Sequence, residues 1–202
     1  MIIGPKYKIC KRLGASVFEK CQTQKYQISE ARNPRVTRGK RTGGDFAAQL
    51  LEKQKARFTY GLSESQFARY VKEAIEKRGR DSILGLTGRL EARLDNTIYR
   101  AGLVKTRRAA RQLVSHGHVM VNGRRMTIPS HAVELNDTVS IRPESRQSPL
   151  FINRAEAVKE IKTPMWLEMS ADGFEAKVIH KPQVAEGEAP FDPAVIIQFY
   201  SR

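Results

Sequence analysis

Residues 106–128 read TRRAARQLVSHGHVMVNGRRMTI, and the hydrophobic period changes within them. Ala109, Ala110, Leu113 and Val114 recur at helical spacing, with Arg107, Arg108 and Arg111 on the other side. Thr106 is a good N-cap for this short helix, because its hydroxyl can accept from a backbone amide that has no partner inside the helix. Gly117 ends it. From His118 the period is that of a strand: Val119 and Val121 share one face, and Met126 and Ile128 return after Asn122-Gly123. Asn-Gly is the pair a type I′ turn selects, since both of its central residues need positive φ. The stretch therefore predicts a helix followed directly by a β-hairpin.

Working outward, Leu90, Leu94 and Ile98 are stacked at i, i+4 and i+8, which predicts a helix over 86–101 capped by Gly102. Leu103–Lys105 then joins two helices into a hairpin. Downstream, Pro129 breaks the strand, Val133 and Leu135 lead to Asn136-Asp137, and TVSI at 138–141 predicts another strand ending before Pro143. LFINRAEAVKEI at 150–161 predicts a helix, and Trp166–Met169 and Phe174–Ile179 flank Asp172-Gly173 as a second hairpin. Upstream, DFAAQLLEKQKARF at 45–58 predicts a helix burying Phe46, Leu50, Leu51 and Phe58. The next helix opens with a Ser63–Gln66 capping box, buries Phe67, Tyr70, Val71, Ala74 and Ile75, and stops at Gly79. The closing VIIQFYSR is too short to stand alone and must bury against the helices around 46–78. Within the first 45 residues apolar side chains are sparse and follow no sustained period, which predicts a basic extended arm that folds only against its partner.

The chain has 202 residues and 40% apolar composition, enough for one or two compact domains and short for a large multidomain enzyme. Its formal net charge is +15, so an anionic partner is needed to neutralise it, nucleic acid first among the candidates. The excess is front-loaded: +10 over residues 1–60, +7 over 61–150 and −2 over 151–202. No apolar run of membrane-spanning length occurs and the N-terminus lacks the apolar core of a secretory signal, so the chain reads as soluble and unprocessed with no membrane partner. Cys10 and Cys21 read as reduced thiols of a cytosolic protein.

The helix-and-hairpin unit concentrates donors. Thr106, Arg107, Arg108, Arg111, His116, His118, Asn122, Arg124 and Arg125 lie within 20 residues, and the amides at a helix N-terminus also favour phosphate. Such a surface suits duplex RNA, whose deep major groove excludes side chains, so that phosphates, 2′-hydroxyls and shape are read instead of base sequence. Asp95 has no carboxylate partner and is expected to bridge to Arg111 or to backbone amides. His116 and His118 read as residues of a helix end or hairpin edge. No P-loop, dinucleotide loop or metal constellation is present, so no catalytic residue, metal, cofactor or small-molecule substrate is expected. Gly85-Leu86-Thr87-Gly88 resembles a KH clamp only superficially.

RLDNTIYRAG at 93–102 and TRRAARQLVSHGHVMVNGRRMTIPS at 106–130 resemble the RNA-binding domain named for small ribosomal subunit protein S-four. EKQKARFTYGLSESQF at 52–67, PMWLEM at 164–169, the terminal FYSR and GPKYKICKRLG at 4–14 are similar to the bacterial-type S-four family itself. The resemblance implies an α+β fold: a split helical domain, 45–90 with 182–202, into which an α/β domain, 91–181, is inserted. Residues 1–44 form a basic N-terminal extension, and 91–142 form an RNA-binding module of two helices plus an antiparallel sheet. It implies a structural protein that binds the rRNA at a multi-helix junction of the 5′ domain, nucleates assembly of the small subunit and contributes to translational accuracy. It also implies contact with small-subunit protein five, proximity to the channel through which mRNA enters, and a place in the cytoplasmic ribosome. The RNA-facing set expected is Lys6, Lys8, Lys11, Arg12, Arg35, Arg38, Lys40, Arg41, Lys53, Lys55, Arg57, Arg69, Arg93 and Arg100, with the nine residues from Thr106 to Arg125 named above. Two departures stand out. Only two cysteines are present where some members carry four in a zinc-binding arrangement. Asn136-Asp137 replaces a usual Gly-Asp, a change that Asn tolerates because it accepts positive φ. The alternative, an RNA-modifying enzyme or an RNA chaperone built on the same domain, would need a separate catalytic domain or would lack the 52–67 and 199–202 flanks.

If phosphates dominate binding, log affinity for RNA will fall linearly with log salt concentration, by roughly 0.7–0.9 per neutralised phosphate. A flat response in a filter-binding titration would remove the electrostatic reading.

Overall fold

The computed structural model describes residues 3–32, 44–76, 80–151, 163–184 and 187–201. They form two compact units, Met1–Leu86 with Glu186–Arg202, and Thr87–Ala185; the boundary falls inside one helix, Arg80–Glu91.

The first unit is helical. Helix α1 (Lys6–Leu13) ends at Gly14, whose φ of 66° lets its N–H turn back onto the Cys10 carbonyl. A 3-10 turn, Glu19–Gln22, leads to α2 (Gln24–Arg32). Cys10, Leu13, Val17, Phe18, Cys21 and Tyr26 bury together with Phe58, and Phe18 meets the Phe58 ring edge-on at 6.0 Å. This corrects the expected extended arm over residues 3–32. Its apolar positions belong to three short segments separated by left-handed Gly14 and the 3-10 turn, so the phase resets twice and no single period runs through them. Residues 33–43 of that segment lie outside the described residues.

Helix α3 (Asp45–Tyr60) and α4 (Glu64–Glu76) follow, and Gln66 N donates to Ser63 Oγ at 3.3 Å, as the capping box requires. Phe67, Tyr70, Val71 and Ala74 are buried on α4. The buried face of α3 differs from the expected one. Gln49, Lys53, Ala56 and Tyr60 point inward, whereas Phe46 and Leu51 are exposed. The C-terminal helix, for the described residues, is α8 (Pro193–Tyr200), and the half-open Phe46 ring lies 5.5 Å from its Phe199. It packs on α3 and α4, as expected of this stretch, and buries Ile196. Asp192 caps it by accepting from Ala194 N at 2.8 Å, and Tyr200 donates to Glu64 Oε1 at 2.8 Å. Lys53 Nζ also donates to Glu64 Oε1 at 2.8 Å and lies over the Phe199 ring at 4.9 Å. Arg57 completes the cluster with a 2.8 Å bond to Glu64 Oε2.

The second unit is α+β. After α5 (Arg80–Glu91) come α6 (Leu94–Arg100) and α7 (Arg107–Ser115). The single helix expected over 86–101 is therefore two. Arg93 is extended, with ψ of 134°, and bridges Ala132, while Val133 N donates to Ala92 O and Leu94 N to His131 O, both at 2.8 Å. A distant strand-like segment claims the backbone groups that a continuous helix would have used. Strands β1 (Val119–Val121), β2 (Arg124–Met126), β3 (Thr138–Ile141), β4 (Leu167–Met169) and β5 (Glu175–Val178) form one antiparallel sheet in the order β2-β1-β3-β5-β4. Asn122 and Gly123 take φ of 49° and 76°, the expected I′ turn, and Asn136 takes φ of 70° where a glycine was the usual residue. Leu94, Ile98, Leu113 and Val114 pack with Val119, Val139, Ile141, Trp166 and Val178 in one core. Of the helix expected at 150–161, only Leu150 and Phe151 are described, in a 3-10 turn; the stop at Gly79 also lies outside the described residues.

The Glu64 cluster makes the helical unit sensitive to acid. Burial pushes the Glu64 carboxyl up, but hydrogen bonds from Lys53, Tyr200 and Arg57 outweigh it and leave it below the ordinary value of 4.5. A carboxyl lowered in the folded state contributes stability that is present above its unfolded value and lost as pH falls through the folded one. Glu64→Gln is therefore expected to lower Tm near pH 7, with the difference from wild type shrinking below about pH 4.5. Calorimetry showing a pH-independent difference would contradict this.

Candidate nucleic-acid interface

The candidate surface is built on the second unit by α6, α7 and the β1–β2 hairpin. Thr106 Oγ1 accepts from Ala109 N at 3.1 Å, which starts α7 and sets its phase: Ala110, Leu113 and Val114 inward, Arg108 exposed, Arg107 and Arg111 half-buried beside α6.

Two buried carboxylates organise the arginines. Asp95, with 3% of its side chain exposed, accepts from Arg93 Nε at 3.0 Å and Nη2 at 2.8 Å, and from Arg111 Nε at 2.8 Å and Nη2 at 2.7 Å. The expected bridge from Asp95 to Arg111 is thus present. Glu91 is fully buried and accepts from Arg100 Nε at 2.8 Å, Arg100 Nη2 at 3.1 Å and Asn96 Nδ2 at 3.0 Å. Asn96 then offers its Oδ1 to Arg107 Nε at 2.8 Å, and the Arg107 guanidinium lies 4.3 Å over the Tyr99 ring. Ion pairs this buried are geometrically fixed, because breaking one strands a charge away from water.

At the other end of α7, Arg125 crosses back from β2 and donates to Gly117 O at 3.2 Å and His116 O at 3.3 Å. It satisfies carbonyls that the helix leaves without partners and ties the hairpin to the helix. Arg124 is exposed on β2. Asn122 donates to Asp137 Oδ1 at 2.7 Å and accepts from Thr138 N at 2.8 Å, so it joins the turn to β3. His118 Nδ1 lies 2.9 Å from Ser145 Oγ, and the His116 ring is exposed 6.0 Å from it, as the hairpin-edge reading of both anticipates.

Other expected contact residues sit elsewhere. Lys8 and Arg12 are exposed on α1, Lys6 lies 5.5 Å over Phe18, and Lys11 Nζ donates to Ser29 O at 2.9 Å. Lys55 pairs with Glu52, Arg57 with Glu64 and Arg69 with Glu73. Arg35, Arg38, Lys40 and Arg41 lie outside the described residues. Two expectations are corrected: Lys53 and Arg93, only 8% and 3% exposed, face inward onto Glu64 and Asp95. Each basic group is spent on a carboxylate of its own unit, half-exposed Glu64 for Lys53 and buried Asp95 for Arg93. Sequence reasoning overlooked Glu91, Asn96 and Tyr99; the signal was an acid pair four residues apart within an otherwise basic stretch.

Among the described residues no cluster of three or more His, Cys, Asp or Glu could hold a metal ion, and no helix is long and apolar enough to cross a membrane. Cys10 and Cys21 form no disulfide. Burial, reinforced by the neighbouring Cys10, pushes the Cys21 thiol up to about 12, so it stays protonated.

Residues 92–139 match the S4 domain, and residues 1–91 match the ribosomal protein S4/S9 N-terminal domain. Small ribosomal subunit protein uS4 of Persephonella marina is 43% identical over 201 residues, covering 98% of both chains, and that of Thermus thermophilus is 38% identical over 206 residues, covering 99% of this chain and 98% of its own. The chain belongs to the uS4 family. uS4 is a structural family of the small ribosomal subunit and not an enzymatic one, which removes the RNA-modifying alternative. The S4 match begins one residue after Glu91 and encloses both helices, the β1–β2 hairpin and the start of β3, so the arginine network lies almost wholly inside it. The relatives named also match beyond it, through α8.

Gly117 has no room for a side chain where Arg125 now lies on this uS4 surface. A Cβ there would run into the Arg125 guanidinium, on a backbone with φ of +74°. Gly117→Ala is expected to cost about 1–3 kcal/mol, from left-handed strain and from displacing the Arg125 cap. A chemical-denaturation midpoint equal to wild type would contradict that.

Proposed function

We propose that this face binds small-subunit rRNA directly, at a multi-helix junction of the 5′ domain, and that the protein nucleates assembly of the subunit from there. The observation that carries the reading is the preset arginine array: Arg107 and Arg111 held by Asn96 and Asp95, with exposed Arg108 on the same helix and exposed Arg124 on the adjoining hairpin, all within the S4-domain match. Fixed guanidiniums suit phosphates at set spacing, and an A-form duplex offers its backbone and 2′-hydroxyls where its deep groove admits no helix. Within this reading, 91–142 is the RNA-binding module of an inserted 91–181 domain. The discontinuous helical domain, 45–90 with 182–202, and the basic residues of 1–44, Lys8 and Arg12 among them, supply further phosphate contacts. Contact with small-subunit protein five, a position near the channel through which mRNA enters, a contribution to translational accuracy and residence in the cytoplasmic ribosome belong to the same reading; the uS4 family membership supports them.

Arg108 and Arg124 are the residues to test, because both are exposed, whereas Arg125 also caps a helix. Replacing each by Ala is expected to weaken binding to a 5′-domain rRNA transcript about tenfold and to lower the salt slope by roughly 0.7–0.9 per lost phosphate contact. The circular dichroism spectrum should not change. Wild-type affinity and slope in the double variant would refute the assignment of this face.

A further inference from the structure

We infer that Asp95 is a positioning residue of the RNA-binding face, acting through Arg111; this rests on the rRNA-binding reading above. On electrostatics alone the residue is misplaced. It puts a negative charge beside the array proposed to meet phosphates, in a chain whose charge of +15 otherwise favours an anion, and it is buried where a carboxylate loses hydration. Geometry supplies the reason for it. Arg93 grips both oxygens, Nε on Oδ1 at 3.0 Å and Nη2 on Oδ2 at 2.8 Å, and is itself held by its backbone bridge to Ala132 and only 3% exposed. That pair of contacts fixes the plane of the carboxylate. Oδ2 also accepts both Nε and Nη2 of Arg111 across the gap from α6 to α7, at 2.8 and 2.7 Å. A guanidinium gripped through Nε and one Nη has its plane set by its partner, so the long side chain is ordered when the protein folds and not when RNA arrives. Glu91, Asn96 and Arg107 repeat the arrangement one step along, with a neutral amide as the relay.

The test separates positioning from charge, because the two predict opposite signs. Asp95→Asn makes the chain one unit more positive, so simple attraction predicts equal or tighter binding to a 5′-domain rRNA transcript. Positioning predicts binding about tenfold weaker, at the low end of what loss of an orienting carboxylate does elsewhere, with an unchanged salt slope because the same phosphates are met. It also predicts that Asp95→Asn adds no further loss in an Arg111→Ala background. Asp95→Asn binding as tightly as wild type, while Arg111→Ala binds weakly, would overturn the inference and leave the rRNA-binding reading standing. Arg111→Ala with wild-type affinity would also overturn the inference, while the rRNA-binding reading stands or falls on the Arg108 and Arg124 variants. Removing Asp95 strands buried Arg93, so circular dichroism accompanies each titration. If Asp95→Asn does not fold, Arg111→Lys decides: it keeps the charge on a half-buried helix face but cannot grip through Nε, and wild-type affinity would overturn the inference.

Discussion

The second unit depends on the burial of acid inside a basic surface. Asp95 and Glu91 are the points to which Arg93, Arg111, Arg100 and, through Asn96, Arg107 are tied. A buried carboxylate and a buried guanidinium are each costly alone, and Asp95, Glu91, Arg93 and Arg100 are tolerated here because each has a hydrogen-bonded partner of opposite sign. The break between α5 and α6 belongs to the same constraint. It extends Arg93 so that its side chain can reach Asp95 two residues on, while its backbone pairs with Ala132. A continuous helix would have pointed those two residues in different directions.

Stiffness links this chemistry to the proposed function. RNA recognition by shape requires cations at fixed separations, and a lysine or arginine on a solvated helix face offers charge without fixed separation. Here the helix start, the helix end and the side-chain planes are each held: by Thr106 at the N-cap, by Arg125 at the far carbonyls, and by Asp95 and Asn96 between. The helical unit uses the same device for a structural end. Glu64 collects Lys53, Arg57 and Tyr200, and so binds the last helix of the chain to the two that precede it by more than a hundred residues.

Local chemistry was legible without coordinates. The I′ turn at Asn122-Gly123, the cap at Thr106, the stop at Gly117 and the second hairpin around Asp172-Gly173 all follow from residues within a few positions of one another. Even the bridge from Asp95 to Arg111 could be anticipated, since few acids are available near those arginines. The misreadings arise in packing. The helix drawn through Arg93 is broken by residues 131–133, far away in sequence, whereas the outward placement of Lys53 and Arg93 is reversed by carboxylates nearer by, Glu64 on the neighbouring helix and Asp95 two residues on.

The sequence by itself determined the fold class, the order of elements in the RNA-binding module, the basic character of the chain and its family resemblance, because turn residues, caps and periodicity act over a few positions and charge is additive. Only the tertiary structure decided which basic side chains face outward and which are internal braces. That choice depends on desolvation and on the geometry of opposite charges brought together by packing, and neither is fixed by the local spacing of residues.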